Sequence, residues 1–200
     1  MKEIMIVSTN AHKIEEFKQM LEPLGFVVKS LLDADEKFDI VEDGTTFQEN
    51  AAIKADFIRN QCNIMAIADD SGLEIDALNK EPGVYSARYM GEDTSYRIKN
   101  ANLIERLNGV PVEKRTARFV CAIAAVLTDG TVYTVRETIE GYIGYEERGE
   151  NGFGYDPIFM VPEFNCTTAE LSMEQKNKIS HRGKALAKMK EELLQKGLIG

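Results

Sequence analysis

The chain has no apolar run near the roughly 18 to 20 residues that a membrane-spanning helix needs. Its apolar start, residues 1–7, is too short for the core of a signal peptide and is typical of a first strand. The three cysteines, Cys62, Cys121 and Cys166, lie far apart and form no CxxC pair. A sparse, odd set argues against a disulfide framework or a zinc site, so we expect reduced thiols in a cytoplasmic protein with no membrane partner.

Long runs of Lys and Arg are also missing, and the formal net charge is −9 over 200 residues. A protein that binds nucleic-acid polymers normally presents a basic face, so we do not expect such a partner. Phosphate chemistry remains open, because a few basic side chains and carboxylates that recruit Mg²⁺ are enough for it. With 44% hydrophobic and 28% charged residues, the chain is predicted to form one globular domain over residues 1–200.

The spacing of apolar residues predicts strands and helices that alternate. Strands are predicted at 4–7, 26–28 and 65–68, and helices at 11–24, 47–59 and 95–107. Residues 73–78 are interpreted as a hairpin partner of the strand at 65–68, and residues 118–127 and 131–143 as a long hairpin around Asp129-Gly130. A last helix begins after the N-cap Ser180. This order predicts an α/β fold with a mixed sheet.

Three polar clusters carry the chemistry, and the first runs from Ser8 to Lys13, where a strand ends and a helix begins. Backbone N–H groups at a helix N-terminus bind anions, and Lys13 adds a positive charge. The cluster is therefore a candidate phosphate site, although it lacks the glycine spacing of a P-loop. The alternative is that Thr9 or Asn10 merely caps the helix while Lys13 is solvated.

The second cluster is Asp69-Asp70-Ser71-Gly72, which follows an apolar strand at the place where open α/β sheets bind ligands. Consecutive strand residues point to opposite faces, so only one acid need enter a site. That carboxylate could hold Mg²⁺ or accept a proton from water. The alternative is an Asx-turn that closes a hairpin. Glu42 is a lone loop acid, and Glu49 is placed to favour a helix dipole.

The third cluster is the glycine-rich loop 149–157, followed by Lys176, His181 and Arg182 near the start of the last helix. Glycine permits positive φ and close approach to a ligand. Phe153 could stack on a base, and Asp156 could accept hydrogen bonds from a base or ribose; the alternative is a tight bend whose aromatic residues complete the core. Arg88 could pair with phosphate or brace acidic loops, and these readings stay open.

Taken together, the clusters resemble the Ham1/inosine triphosphatase family of non-standard purine nucleoside triphosphate pyrophosphatases. The matching segments, in chain order, are 8–13, Phe47-Gln-Glu-Asn-Ala51 with Lys54-Ala55, Ala68 to Leu73 with Pro82 to Arg88, Gly152 to Phe159, and Lys176 with Ser180 to Ala185. The resemblance implies an elongated mixed β-sheet with flanking helices that form two lobes around a central cleft. It also implies a homodimer and Mg²⁺-dependent cleavage of ITP, dITP and XTP to the monophosphate and pyrophosphate.

The resemblance also implies the role of each site residue. Phosphates would be held by Ser8, Thr9, Asn10, Ala11, His12 and Lys13. Glu42 and Asp70 would hold the metal, with Glu49 as the alternative to Glu42, and Asp70 would accept the proton of the attacking water. Ser71 would touch the substrate. The nucleoside pocket would be lined by Phe153, Gly154, Tyr155 and Asp156, and the base would be read by Lys176, His181 and Arg182.

Two competing interpretations remain at this point. One is an enzyme of the structurally similar Maf class, which acts on pyrimidine triphosphates. The other is a nucleotide-binding regulatory module without turnover. The adjacent acids Asp69 and Asp70 argue against the second, since a triphosphate binder gains little from added negative charge unless a metal is involved.

Overall fold

A seven-stranded mixed β-sheet forms the centre of the fold, as seen in a computed structural model that describes residues 2–34 and 37–198. The strands are β1 Lys2–Ile6, β2 Phe26–Ser30, β3 Met65–Ile75, β4 Thr116–Val126, β5 Val132–Ile143, β6 Phe159–Val161 and β7 Cys166–Thr167. Their order in the sheet is β2-β1-β3-β4-β5-β6-β7. Strand β1 pairs in parallel with β2 and β3, whereas β6 is antiparallel to β5 and β7, so the predicted mixed α/β fold is confirmed.

The helices flanking the sheet are α1 Ala11–Leu21, α2 Phe47–Cys62, α3 Tyr96–Arg106, α4 Met173–Ile179 and α5 His181–Gln195. Four of the five were predicted, and only the short α4 was not. Within residues 2–34 and 37–198, no helix combines the length and apolar character that a membrane span needs.

The chain groups into two compact units. The first comprises the described residues of Met1–Asp70, Cys121–Glu137 and Lys184–Gly200, and the second comprises Ser71–Val120 and Thr138–Gly183. The predicted single catalytic domain over residues 1–200 stays a prediction.

The core of the first unit lies on both faces of its strands. Ile4 and Ile6 of β1 belong to one buried apolar cluster, while Met5 and Val7 belong to another. Because side chains alternate along a strand, this split places one cluster on each face of β1. The thiol of Cys121 is fully buried in the first of these clusters.

The two N-terminal helices follow the predicted pattern closely. Helix α1 buries Ile14, Phe17 and Leu21, and ends where Pro23 and the left-handed Gly25 (φ +84°) stop further α-helical turns. Helix α2 buries four of the apolar side chains that the spacing predicted, namely Phe47, Ala51, Ala55 and Ile58. The N-cap of α2 is Thr46, whose hydroxyl oxygen accepts a hydrogen bond from the Glu49 N–H at 3.1 Å.

The predicted hairpin between residues 65–68 and 73–78 is wrong. Residues Met65–Ile75 form one continuous strand, and a single 3₁₀ turn over Asp76–Leu78 follows it. Asp69, Asp70 and Gly72 are typical turn residues, but here they lie in extended backbone. The extended conformation of β3 is favoured by its place between β1 and β4 in the sheet, which overrides the local preference for a turn.

In the second unit, the buried Arg115 ties the end of α3 to the end of β5. Its guanidinium donates to the carbonyl oxygens of Leu107 (2.8 Å), Ile143 (2.7 Å) and Gly144 (2.6 Å). The ring of Tyr145 covers it at 4.3 Å from the guanidinium carbon. One buried side chain therefore supplies hydrogen bonds to three buried carbonyls.

We predict that Arg115→Met lowers the free energy of unfolding by about 3 kcal/mol, because it removes three hydrogen bonds to buried carbonyl oxygens. Urea denaturation followed by circular dichroism measures the change. The control is Arg97→Met, which removes an exposed arginine and should shift stability by no more than about 0.5 kcal/mol. Equal effects of the two variants would contradict the assigned role of Arg115.

Candidate active site

Two adjacent carboxylates in β3, Asp69 and Asp70, meet two different lysines. The Lys13 ammonium of α1 lies 2.7 Å from Oδ2 of Asp69, whose side chain is only 2% exposed. The Lys54 ammonium of α2 lies 3.5 Å from Oδ1 of Asp70. Since neighbouring strand residues point to opposite faces, the two acids enter different environments, as the sequence predicted.

Glu42 completes the cluster around Lys54. Its Oε2 lies 3.0 Å from the Lys54 ammonium, so Glu42 and Asp70 converge on one positive charge. Burial raises the pKa of Asp70 above its usual value, and Lys54 opposes that effect. Burial would lower the pKa of Lys54, but the nearby Asp70 and Glu42 outweigh it and raise the pKa. Lys54 therefore remains protonated between two carboxylates.

The sequence alone predicted no role for Lys54, although Lys54 lies in one of the segments that match the family. A signal was present: Lys54 stands three residues after Ala51 and four before Ile58, both buried on the apolar face of α2. A lysine at that place in a buried stripe is unusual unless a carboxylate pairs with it. Asp69 was likewise missed as the partner of Lys13.

The loop that carries Glu42 is fastened to the first turn of α2. The Asn50 side-chain oxygen accepts the Gly44 N–H at 2.9 Å, and an added Cβ at Gly44 would lie only 2.6 Å from that oxygen. The Glu49 carboxylate accepts from the Thr45 N–H, the Thr45 hydroxyl and the Thr46 N–H, which lowers its pKa. Glu49 thus acts as a helix cap, and Glu42 is the acid that faces Asp70 and Lys54.

The turn before α1 confirms the helix cap that the sequence offered as an alternative, but not the solvated Lys13 that went with it. Asn10 caps the helix, because its side-chain oxygen accepts the N–H groups of His12 (3.0 Å) and Lys13 (3.2 Å). The Ser8 hydroxyl oxygen accepts the Asn10 N–H at 3.1 Å. Lys13 is not simply solvated, since it pairs with Asp69, and the exposed His12 lies 3.7 Å from Glu16. Thr9 and Ala11 are exposed on the same turn.

In the second unit, Asp156 organises the glycine-rich loop. Its Oδ2 accepts from the Phe153 N–H (2.9 Å) and the Lys176 ammonium (2.6 Å), and its Oδ1 accepts from the Thr168 hydroxyl (2.9 Å). A side chain at Gly152 would meet both the Asp156 carboxylate and the Lys176 ammonium. The buried Asp156 therefore shapes the loop and orients Lys176, a role that the sequence did not suggest.

The two aromatic residues of this loop have different environments. The Phe153 ring is 69% exposed, and the Lys176 ammonium lies 5.5 Å from its centroid. Tyr155 is buried, and its hydroxyl donates to the Ser86 carbonyl oxygen at 2.6 Å. Gly154, between them, has a left-handed φ of +66°. Only Phe153 presents a ring face on which a ligand can stack.

The remaining predicted residues lie at the start of α5, within β3 and in a turn. His181, the first residue of α5, stacks on Phe119 with ring centroids 5.6 Å apart and an interplanar angle of 14°. The Ser180 hydroxyl oxygen accepts the Gly183 N–H at 3.2 Å, which confirms the predicted cap. Arg182 follows in the first turn, and Ser71 lies half-buried in β3. The guanidinium of Arg88 lies over Tyr85, 4.9 Å from the ring centroid.

The candidate site residues, including Lys54 and Asp69 that were not predicted, thus form two groups. The first unit contains the lysine–carboxylate group, which comprises Lys13, Glu42, Lys54, Asp69 and Asp70. The second unit contains the aromatic loop group, which comprises Phe153, Gly154, Tyr155, Asp156 and Lys176, with His181, Arg182 and Ser71 elsewhere in the same unit. The first group suits phosphates and a cation, and the second suits a flat, polar-edged ring.

Fold and site together describe an α/β protein whose sheet carries lysine-neutralised carboxylates in its third strand. The Ham1 family model matches residues 4–192, and the chain belongs to the Ham1 family. The resemblance inferred from the motifs is thereby confirmed.

Individual relatives agree with the family assignment. A Bacillus subtilis protein named dITP/XTP pyrophosphatase is 49% identical over 193 residues, which cover 96% of this chain and 98% of the relative. The solved structure of the Staphylococcus aureus Ham1 protein is 42% identical, with a TM-score of 0.91, and the match covers 98% of this chain and all of that one. A Mycobacterium abscessus structure titled nucleoside-triphosphatase / dITP/XTP pyrophosphatase is 40% identical, with a TM-score of 0.82, over 94% of this chain and 98% of that one.

We predict that Lys13 and Asp69 are energetically coupled. In a double-mutant cycle of Lys13→Met and Asp69→Asn, the effects on the free energy of unfolding should differ from additivity by about 1–2 kcal/mol, because the ion pair is short and Asp69 is buried. Urea denaturation of the single and double variants measures the coupling.

The control cycle uses the pair Lys178 and Glu174, whose side chains are 68% and 82% exposed at 3.0 Å separation. Solvent screening should limit that coupling to about 0.5 kcal/mol or less. Strict additivity of the Lys13 and Asp69 variants would mean that the ion pair contributes nothing to stability.

Proposed function

We propose that this protein is a metal-dependent pyrophosphatase that hydrolyses dITP, XTP and ITP between the α and β phosphates, releasing the nucleoside monophosphate and pyrophosphate. The observation that carries the proposal is the convergence of Glu42 and Asp70 on the Lys54 ammonium beside a second lysine–carboxylate pair. The names of the relatives support the substrate class. The homodimer and the cytoplasmic location stay predictions.

The carboxylates of Glu42 and Asp70 fit a divalent metal. Their oxygen atoms are the hard ligands that Mg²⁺ prefers, and they already face one cationic group. Within residues 2–34 and 37–198, no cluster of three or more His, Cys, Asp or Glu side chains is arranged to hold a metal ion. Two carboxylates match Mg²⁺, which usually keeps waters and takes further ligands from substrate phosphates. When bound, it would supply charge neutralisation and Lewis-acid activation of the phosphate.

In the proposed reaction, the residues of the lysine–carboxylate group have different roles at the phosphates. Asp70 accepts the proton of the attacking water, since a buried carboxylate beside a bound phosphate is suited to general-base catalysis. Lys13 and Lys54 offset the negative charge that develops on the phosphoryl oxygens. Asp69 holds the Lys13 ammonium in place at 2.7 Å. The exposed positive end of α1 adds a favourable field for phosphate.

The aromatic loop group reads the nucleobase. Phe153 offers an exposed ring on which a purine stacks. The Lys176 ammonium uses one of its three N–H groups on Asp156 and has others for the substrate. Lys176 and Arg182 are donors only, so they suit the 6-oxo group of hypoxanthine or xanthine and leave the 6-amino group of adenine without an acceptor. Such a mismatch disfavours ATP.

A product assay tests the proposal directly. Purified protein with Mg²⁺ is offered dITP, XTP, ITP, ATP and GTP separately, and products are separated by ion-exchange chromatography. We expect monophosphate and pyrophosphate from the first three nucleotides and at least about 100-fold slower turnover of ATP and GTP. Orthophosphate with a nucleoside diphosphate, or no turnover of any nucleotide, would refute the proposed reaction.

The matched variants in that assay are Asp70→Asn and the exposed control Asp93→Asn. Loss of the proton acceptor and one metal ligand should slow dITP hydrolysis by Asp70→Asn at least about 100-fold. The control should keep its rate because its side chain lies at the surface, and circular dichroism checks that both variants are folded. A normal rate in Asp70→Asn would remove Asp70 from the mechanism.

A further inference from the structure

Helix α3 presents polar side chains to the interior of the second unit. Lys99 and Asn100 are each only 1% exposed, whereas the apolar Ile98 is 53% exposed. This orientation departs from the usual pattern, because a helix on a protein surface normally turns its apolar stripe inward. Buried polar groups are normally hydrogen-bonded, so the hydrogen-bond partners of Lys99 and Asn100 explain the orientation of this helix face.

The partners lie in the aromatic loop group and next to it. Asn100 Nδ2 donates to the Gly154 carbonyl oxygen at 3.2 Å and to Oε1 of Glu147 at 2.8 Å. One turn earlier on α3, the Tyr96 ring packs edge-on against Tyr155 with centroids 5.1 Å apart. The same ring lies 3.5 Å from the point where a Gly154 Cβ would stand. One face of α3 therefore backs the loop that carries Phe153.

The amide of Asn100 is used only as a donor. Both of its partners are acceptors, and within residues 2–34 and 37–198 its buried Oδ1 has no hydrogen-bond partner. A buried acceptor without a partner is unfavourable, so the site is not optimised for stability alone. Asn100 therefore acts through the two hydrogen bonds that its Nδ2 donates.

One of these hydrogen bonds is made to Gly154, a residue whose backbone can adopt many conformations. Gly154 adopts φ +66°, and glycine alone visits that region freely, so its peptide has no intrinsic preference for one orientation. On the other side of Phe153, the Asp156 carboxylate accepts the Phe153 N–H at 2.9 Å. Two side-chain hydrogen bonds therefore flank Phe153. The Asp156 carboxylate accepts from its N–H, and the Asn100 amide donates to the carbonyl oxygen of the next residue, Gly154.

We propose that Asn100 is a positioning residue for nucleobase binding: it fixes the Gly154 peptide and thereby holds the Phe153 ring in its stacking orientation. The inference rests on the proposed function, because it assumes that Phe153 stacks on the base. Asn100 itself touches no substrate and no reacting atom. Its loss should weaken binding of the nucleoside part alone, which raises KM with little change in kcat.

The test measures binding of IMP and of inorganic pyrophosphate separately by isothermal titration calorimetry. Asn100→Ala should weaken IMP binding about tenfold, the scale of one lost stacking contact, and leave pyrophosphate binding unchanged. The control Asn102→Ala removes an amide from the same helix whose oxygen accepts from the Tyr89 hydroxyl instead of reaching the loop. It should leave both affinities unchanged.

The same substitution made in the Phe153→Ala variant distinguishes a positioning role of Asn100 from a general loss of structure. In Phe153→Ala, the further change Asn100→Ala should weaken IMP binding less than about twofold, because the ring that Asn100 positions is gone. A full additional loss in that background, or an equal loss of pyrophosphate affinity in the single variant, would overturn the proposal. Should Asn100→Ala not fold, Asn100→Leu fills a similar volume and removes the donor without adding a charge beside Glu147, with the same expected outcomes.

Failure of the proposed function is distinguishable from failure of this inference. If the unaltered protein binds no IMP, the nucleotide interpretation of the aromatic loop is wrong, and Asn100 cannot have the role proposed. If it binds IMP and Asn100→Ala binds equally well, the nucleotide site stands and the positioning role does not.

Discussion

Neutralising two adjacent buried carboxylates is the constraint on which the site of this protein depends. An ionised carboxylate away from water is strongly unfavourable unless it is paired or hydrogen-bonded. Asp69 and Asp70 follow four buried residues of β3, and strand geometry sends them to opposite faces. One helix cannot serve both. Lys13 on α1 meets the first acid, and Lys54 on α2 meets the second.

This arrangement gives the two acids different tasks. Asp69 makes a short ion pair that holds a lysine at the positive end of α1. Asp70 shares Lys54 with Glu42, so two carboxylates surround one positive charge and suit a cation. The loop bearing Glu42 is held by Asn50 and by the capping box of α2. The local fold around α2 therefore positions the candidate metal ligands.

The aromatic loop is a glycine-rich segment whose conformation is fixed by hydrogen bonds to polar side chains. Its glycines at 149, 152 and 154 all have positive φ, which leaves the backbone with many alternatives when unfolded. Asp156 bonds to the loop from within, and Asn100 bonds to it from α3. Of the two polar residues that α3 turns inward, Asn100 makes this contact and Lys99 donates to the Ala87 carbonyl oxygen, while Ile98 is exposed.

Much of the fold was predictable because apolar periodicity is a local signal. The faces of α1 and α2 and the hairpin of β4 and β5 followed from spacing and turn residues. Where local preference and tertiary context disagree, the prediction failed: Asp69 to Gly72 favour a turn, yet β3 continues through them between two neighbouring strands. The burial of Lys99 and Asn100 beside an exposed Ile98 was not predictable, because the partners of both polar side chains lie in other segments of the chain.

The sequence predicted several residues of the candidate site, but not which of their side chains pair with one another. The family motifs pointed to Lys13, Asp70 and Phe153, and the structure places each where such a role is possible. Sequence could not reveal that Lys54 lies between Glu42 and Asp70, or that Asp156 orients Lys176, because those contacts join segments 12 to 20 residues apart through tertiary packing. The choice of Glu42 over Glu49 likewise needed the observed cap.

The central claim is that the neighbouring acids are not equivalent, and metal affinity tests it most directly. Mn²⁺ binding to Asp69→Asn and Asp70→Asn is measured by isothermal titration calorimetry in the presence of a non-hydrolysable dITP analogue. The account predicts that Asp70→Asn loses at least about tenfold in Mn²⁺ affinity, while Asp69→Asn stays within about threefold of the unaltered protein. Equal losses, or a larger loss in Asp69→Asn, would contradict it.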